Sequence, residues 1–320
     1  MSNVETDPSE LICENTSGVA AVEVLEPRDV PLGGPRAMTV RRTLPRRQRS
    51  MIGAWCFADH YGPDDVSVSG GMDVAPHPHT GLQTASWLFS GEIEHRDSLG
   101  THAMVRPGEL NLMTAGHGIC HSEVSTATTT VLHGVQLWIA LPDAHRDTPP
   151  AFEHYVPGVV TLDGATARVF LGTVAGETSP VRTFTPLLGA EILLEPGARL
   201  TLDVDTAFEH GVLVDVGAVE LSGTPLARGT LGHIGVGTAG LRLVNVADTP
   251  ARVILLGGEP LGEDLVMWWN FVGRSHDEIV RYREQWQQES ERFGRVEGYA
   301  GDRLPAPPMP TARLRPRTRP

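Results

Sequence analysis

The chain has 320 residues, with 26 basic against 39 acidic side chains and a formal charge of −13. That length accommodates two domains with sizeable cores, and the acidic balance argues against direct, broad binding to nucleic acid. Three cysteines (Cys13, Cys56, Cys120) with no CxxC spacing and no apolar run of 18 residues predict a reduced, cytoplasmic protein with neither signal peptide nor membrane span.

In chain order, an acidic lead comes first, carrying Glu5, Asp7, Glu10 and Glu14 and few large apolar residues. Residues 1–35 are read as a disordered or loosely attached lead. Between residues 36 and 49 the charge reverses, with Arg36, Arg41, Arg42, Arg46, Arg47 and Arg49 and no acid. Thr39, Val40 and Leu44 mark that stretch as an exposed edge segment with some strand character. All 26 basic residues of the chain are arginine.

From Ile52 onward the sequence reads as short strands cut by Gly, Pro and Asp, with no long helical pattern, which predicts an all-β barrel or sandwich. IGAWCFADHYGP is one strand, and its Asp59 and His60 are read as structural. The run GMDVAPHPHTGLQTASWLFSG then places His77 and His79 two apart, and MTAGHGICHSE places His121 and Glu123 two apart. Residues i and i+2 of a strand share a face, so two such strands brought together would converge three imidazoles and a carboxylate. That donor set suits a divalent transition metal such as iron, with a position or two left open. A lone HxH is commonplace; two such pairs, both bounded by turn glycines, are not. Cys120 would face away from such a site as a small buried residue. His117, between Gly116 and Gly118, is read as an exposed turn residue. His133, Gln136 and Trp138 lie on one later strand and are candidates to line a face, with Trp138 read as core.

Residues 142–156 are rich in Pro and polar groups and read as a linker. Beyond them ARVFLGTV, AEILLEPGARLTLDV, GVLVDVGAVELSG and ARVILLGGEPL repeat the β rhythm, and EPGARL echoes RPGELN, so a duplicated β domain is the simplest account. This second half lacks the donor set: His210 falls near an HxH position, with Val212 where the second His would stand. Near the end, Ser275 and Glu278 form a capping box, and Ile279, Tyr282, Trp286 and Phe293 recur at helical spacing, predicting a helix over 276–292. After Leu304 come Pro305, Pro307, Pro308 and Pro310 and then four arginines, which predict a disordered tail.

HPHTGLQTASWLFSGEIEHRDSLG followed by PGELNLMTAGHGICHSE resembles the pirin family of bicupins, and the resemblance extends from about residue 41 to about residue 293. It implies two tandem cupin (double-stranded β-helix) barrels with a C-terminal helix. The expected divisions are a lead (1–35), a metal-binding barrel (36–145), a second barrel without ligands (146–262), a crossing segment and helix (263–295) and a tail (296–320). It implies metal ligands at His77, His79, His121 and Glu123, around Fe(2+) or another divalent transition metal; Glu123 is read in addition as the catalytic group, accepting the proton of a substrate hydroxyl when it moves off the metal. The implied activity is a dioxygenase of the quercetinase type. It would act on a flavonol such as quercetin, or a related enol or phenol, with dioxygen, and release carbon monoxide. The alternative is a redox-sensing iron protein that regulates a transcription factor or metabolic enzyme through protein contact. A chain with two internal barrels is read as a monomer. One departure from many pirins is Gln83, four residues after the second His of the motif, where a Glu is usual.

Overall fold

The computed structural model describes residues 22–31 and 38–316. The first twelve strands are β1 (Glu23–Leu25), β2 (Arg28–Pro31), β3 (Thr39–Leu44), β4 (Trp55–Asp65), β5 (Asp73–His79), β6 (Leu82–Ser90), β7 (Ile93–Asp97), β8 (His102–Val105), β9 (Leu110–Thr114), β10 (Ile119–Ser125), β11 (Val131–Ala140) and β12 (Ala151–Tyr155). All of them except β1 build the first barrel, as a seven-stranded sheet in the order β12-β9-β6-β11-β4-β3-β2 and a four-stranded sheet in the order β5-β10-β7-β8. The second half repeats the plan. Its seven-stranded sheet contains Leu187–Leu194, Glu209–Val216 and Ala251–Gly258, and its four-stranded sheet contains Arg199–Asp203, Gly240–Asn245, Val219–Leu221 and Thr224–Leu226. Every ladder is antiparallel, as hairpins and meanders require. The expected all-β, two-barrel plan is therefore observed.

The halves are not joined by a bare linker. β12, within the stretch read as one, pairs with β9 at the edge of the first sheet. β1, from the part read as a loose lead, pairs with Leu231–Ile234 in the second barrel. Each half thus receives an edge strand from chain outside its own meander, which covers an otherwise open edge. The rest of the lead (1–21 and 32–35), Arg36 and residues 317–320 lie outside the described residues. A shared apolar core joins Trp55, Trp87, Leu137 and Ile139 of the first half to Phe170, Leu187, Leu213 and Ile254 of the second. Trp55 is fully buried there, and its indole N–H donates to the carbonyls of Leu188 (3.2 Å) and Gly257 (3.1 Å). An indole at such a depth needs a partner, and here the other domain's backbone provides it.

The basic segment is also more deeply placed than expected. Arg42 is buried and bidentate to Asp59 (2.6 and 2.7 Å), Arg41 reaches His60 and the carbonyl of Gly62, and Arg49 pairs with Glu23.

The C-terminal helix spans His276–Gln287, with Ser275 Oγ accepting from the Glu278 amide (3.3 Å). It ends short of residue 292 because Glu289 turns into the left-handed region (φ 52). Ile279, Tyr282 and Trp286 face inward, with Phe293 packed beside them. The described part of the tail is fixed on this helix and on the first barrel. The Leu304 amide donates to Pro76 O (2.8 Å), the Trp286 indole to Leu304 O (2.8 Å), and the Ala306 amide to Gln287 Oε1 (2.8 Å). Proline-rich chain has little conformational freedom to lose, so a few such bonds suffice to hold it.

Candidate metal centre

The four-stranded sheet of the first barrel explains the convergence. β10 lies between β5 and β7, and its register sets His121 opposite His77 and Ile119 opposite His79. Cross-strand partners share a face, so the three imidazoles point together into the barrel. Gly81 makes the turn that follows: its φ is +69, and a Cβ there would stand 2.4 Å from Val272 O.

Candidate donor atoms of His77, His79 and His121 lie within 4.8 Å of one another, and all three side chains are buried. Their outward nitrogens are committed. His77 Nδ1 meets Ala75 O at 2.9 Å and His79 Nδ1 meets Asn270 O at 3.2 Å. A carbonyl only accepts, so both Nδ1 atoms carry protons and both Nε2 atoms are bare. His79 Nε2 faces His121 Nε2 at 3.1 Å. Burial pushes all three imidazoles away from the charged form, His77 to about 4. Three neutral imidazoles, at least two with a bare Nε2 turned inward, suit a divalent cation. Glu123 lines the same cavity, but its carboxylate groups most closely with His95 and His121, and Ser86 Oγ stands 3.5 Å from it. Burial raises the Glu123 carboxyl above its ordinary range, opposed by His95 and Ser86.

The cavity over these groups has an inner volume of about 90 Å³ and about 630 Å³ of empty space including its open mouth. Phe57 and Trp138 form one wall, stacked at 4.0 Å and 11°, with the Arg42 guanidinium 4.2 Å over Phe57. Gln136 and Asp59 add polar groups, while Trp269, Asn270 and Leu304 come from distant chain and complete the lining. Trp269 adopts φ 54, uncommon for a residue with a Cβ, at the tip of the hairpin formed by Val266–Trp268 and Phe271–Gly273.

Gln136 lines the cavity as expected and so does Trp138, which was expected in the core, but His133 does not: β11 changes register between His133 and Gly134, and His133 points to the second barrel. Asp59 borders the cavity, whereas His60 faces the other way. Gln83 turns from the site to Thr114 (2.9 Å), and His117 meets Thr148 O outside the cavity. Cys120 faces away as expected, buried near Trp286, its thiol pushed up to about 11 by burial.

A second cluster was not anticipated. His60 and His133 both place Nε2 on Asp215 Oδ1, at 2.7 and 2.5 Å, across the domain boundary. Arg252 reaches Asp215 Oδ2 at 3.2 Å, and Arg41 Nε meets His60 Nδ1 at 3.3 Å. Donors saturate this carboxylate and arginines surround it, which makes it a hydrogen-bonded clasp rather than a cation site.

The comparisons with known proteins agree with this architecture. The Pirin family model matches residues 37–139, and the Pirin C-terminal cupin domain model matches residues 189–294. The chain belongs to the pirin family. A Pseudomonas aeruginosa relative named "Putative quercetin 2,3-dioxygenase PA1205" is 47% identical over 285 residues, 88% of this chain and 89% of that one. A pirin-like protein of Caulobacter vibrioides is 36% identical over 78% of this chain and 88% of its own. The crystal structure of a quercetin 2,3-dioxygenase from Acinetobacter baumannii superposes with a TM-score of 0.87 at 40% identity, covering 92% of this pirin and 97% of that chain. Among the described residues, no helix of this pirin is long and apolar enough to cross a membrane.

The sequence reading overlooked His95 and Asp97. They sit two apart on β7, with Asp97 opposite His121 and His95 opposite Glu123. The i, i+2 spacing that singled out the other two pairs was present in EHRD as well.

Proposed function

We propose that this pirin is a metal-dependent dioxygenase, with iron held by His77, His79, His121 and Glu123, acting on a flavonol such as quercetin or a related enol or phenol. The observation that carries the reading is the pair of facing ring nitrogens, His79 Nε2 and His121 Nε2, buried at the floor of a cavity with an open mouth. A structural metal site would be closed over; this one is approachable. When bound, a divalent iron supplies Lewis acidity toward a substrate hydroxyl and redox contact with dioxygen.

The chain's own groups do the rest. The stacked Phe57 and Trp138 give a planar substrate an aromatic wall. Gln136 and Asn270 offer polar contacts at the rim of its oxygen functions. Glu123 Oε is the group placed to take the enol proton. Its burial favours holding that proton once taken. The inner cavity is smaller than the ~300–1,000 Å³ usual for ligand pockets, so a three-ring flavonol would seat its hydroxy-keto edge inside and its remaining ring in the mouth.

The regulatory alternative has less support in the geometry. Of the basic segment that would meet a partner, Arg41, Arg42 and Arg49 are engaged within the fold.

The test is oxygen uptake by protein loaded anaerobically with iron, given quercetin, beside a His121→Ala control. Uptake with carbon monoxide release, lost in the variant, is the expected result. One equivalent of bound iron with no uptake would remove quercetin as substrate.

A further inference from the structure

The structure assigns His95 and Asp97 to a positioning relay that orients His121 and ties the metal site to a buried carboxylate, so that the pair sets the redox potential of the iron. This rests on the metal site proposed above and adds two residues behind it. His121 Nδ1 stands 3.4 Å from His95 Nδ1, and His95 Nε2 stands 3.2 Å from Asp97 Oδ2. Asp97 Oδ1 in turn accepts from the amides of Leu99 (2.9 Å) and Thr101 (3.0 Å). With His121 Nε2 turned to the cation position, its proton sits on Nδ1 and is donated to His95 Nδ1. The proton of His95 then sits on Nε2 and is donated to Asp97. One arrangement of protons thus satisfies every atom in the chain.

The three imidazoles are therefore not equivalent. His77 and His79 donate to backbone carbonyls, which are fixed dipoles. His121 alone donates to a side chain, and through it to a charge. A carboxylate at the end of such a chain raises the basicity of the ligating nitrogen and favours the more highly charged metal state. Burial makes that effect count: His95 is 3% exposed and Asp97 2%, and the ring of Phe152 lies 4.9 Å from that of His95. Neither His95 nor Asp97 lines the cavity; a ring nitrogen of His95 does lie within 4.8 Å of donor atoms of His121 and Glu123, but with its two nitrogens engaged by His121 Nδ1 and Asp97 Oδ2 the relay leaves His95 none for a metal.

The second barrel supplies an internal comparison. Its strands Val219–Leu221 and Gly240–Asn245 pair with Leu221 opposite Leu243 and Val219 opposite Asn245, the same pattern as Asp97 opposite His121 and His95 opposite Glu123. Where His121 is replaced by Leu243, His95 and Asp97 are replaced by Val219 and Leu221. The relay pair occurs only in the barrel with the histidines.

The test uses the full chain loaded with iron and reads the Fe(III)/Fe(II) midpoint potential and the Fe(II) affinity. The variants are His95→Leu, His95→Asn and Asp97→Asn, each first checked for wild-type thermal unfolding without metal. In His95→Leu, Fe(II) affinity should fall about tenfold or more. Fe(III) affinity should fall about a further tenfold, a rise in potential of about 59 mV. His95→Asn, whose amide oxygen can accept from His121, should recover most of the Fe(II) affinity. Asp97→Asn keeps an oxygen for the Leu99 and Thr101 amides but turns its NH2 toward His95 Nε2, which forces the other His95 tautomer and sets it against the His121 Nδ1 proton, so the potential should rise and Fe(II) affinity should fall, by less than in His95→Leu. A purely structural role would lower affinity for both oxidation states alike and leave the potential where it was, which overturns the relay. Unchanged affinity and potential in all three variants overturns it too. Wild-type protein that takes up no iron would overturn the metal site itself, and the relay with it.

Discussion

The two barrels share one strand plan and differ in what fills them. Register aligns them over the segment that carries the histidines. In the first, His77 faces His121 and His79 faces Ile119; in the second, Leu200 faces Leu243 and Leu202 faces Leu241. His77, His79 and His121 thus correspond to Leu200, Leu202 and Leu243, all buried in a continuous aliphatic core with Val212, Val214, Val253 and Leu255. Glu123 corresponds to Asn245, whose amide is committed to the carbonyls of Leu194, Glu195 and Thr249. The same fold is a packed interior in one copy and a polar cavity in the other. Stability and chemistry have been divided between the copies, as expected when a fold hosts a site that it does not need for folding.

That comparison can be broken at one register position. His121→Ala should abolish metal uptake, measured by metal analysis, while the unfolding free energy of the metal-free protein changes by less than about 1 kcal/mol, since the imidazole already borders a cavity. Leu243→Ala should leave uptake intact and cost about 2–5 kcal/mol in a denaturant melt, the usual range for a truncated core leucine. Equal destabilisation by both would mean that the histidines hold the first barrel together.

Much of the first barrel was legible in the sequence because a two-residue period reports directly on a shared face. His77, His79, His121 and Glu123 were found that way and do border one cavity. His95 and Asp97 carried the same signal in EHRD and were not singled out. The second barrel was misread in one detail. His210 and Val212 lie on Glu209–Val216 of the seven-stranded sheet, whereas the strand corresponding to β5 is Arg199–Asp203. His210 is an isolated buried residue; among the described residues neither of its ring nitrogens has a hydrogen-bond partner, and burial depresses it to about 4. Long-range pairings were beyond local pattern. Nothing in residues 22–31 or 151–155 says which sheet edge they will close, and nothing in a proline-rich tail says that Leu304 will reach a cavity whose histidine floor lies more than 160 positions earlier.

The clasp between the barrels gives the next prediction. Asp215→Asn leaves His60, His133 and Arg252 facing a neutral group, and should cost about 3 kcal/mol, as breaking one partner of a buried ionic network does. Burial lowers the His60 pKa below its ordinary 6.5 despite Asp215, and hydrogen bonds from His133 and His60 lower that of Asp215 despite its burial. Both folded values lie below the unfolded ones. As pH falls through about 6.5 the unfolded chain takes up a proton that folded His60 refuses, so stability falls with acidification. The Asp215 contribution is present above its unfolded value of 3.8 and is lost below it, as pH falls toward the folded value. Urea melts from pH 8 to pH 4 should show a decline beginning near 6.5, to which the buried His77, His79, His121 and His210 also contribute, so the share of the clasp is the part of the decline that Asp215→Asn alters. A flat profile, or an Asp215→Asn melt that overlays the wild type, would show that the barrels are held by their apolar seam alone.

The smallest effect concerns what the cavity admits. Leu304 reaches the cavity from the tail, while its backbone is fixed by Pro76 O and the Trp286 indole. Leu304→Ala therefore removes side-chain bulk from the mouth without releasing the segment. With an inner volume of about 90 Å³, the wall should matter more to a three-ring flavonol than to a one-ring catechol. The ratio of kcat/KM for quercetin to that for catechol should rise by about tenfold or less, the range that a methylene or two commands in an apolar pocket. Steady-state kinetics with both compounds measure it, and the ratio cancels any change in metal loading. A ratio that falls would mean that Leu304 grips the flavonol instead of limiting it, and the tail would then be a binding surface of the metal-bearing barrel.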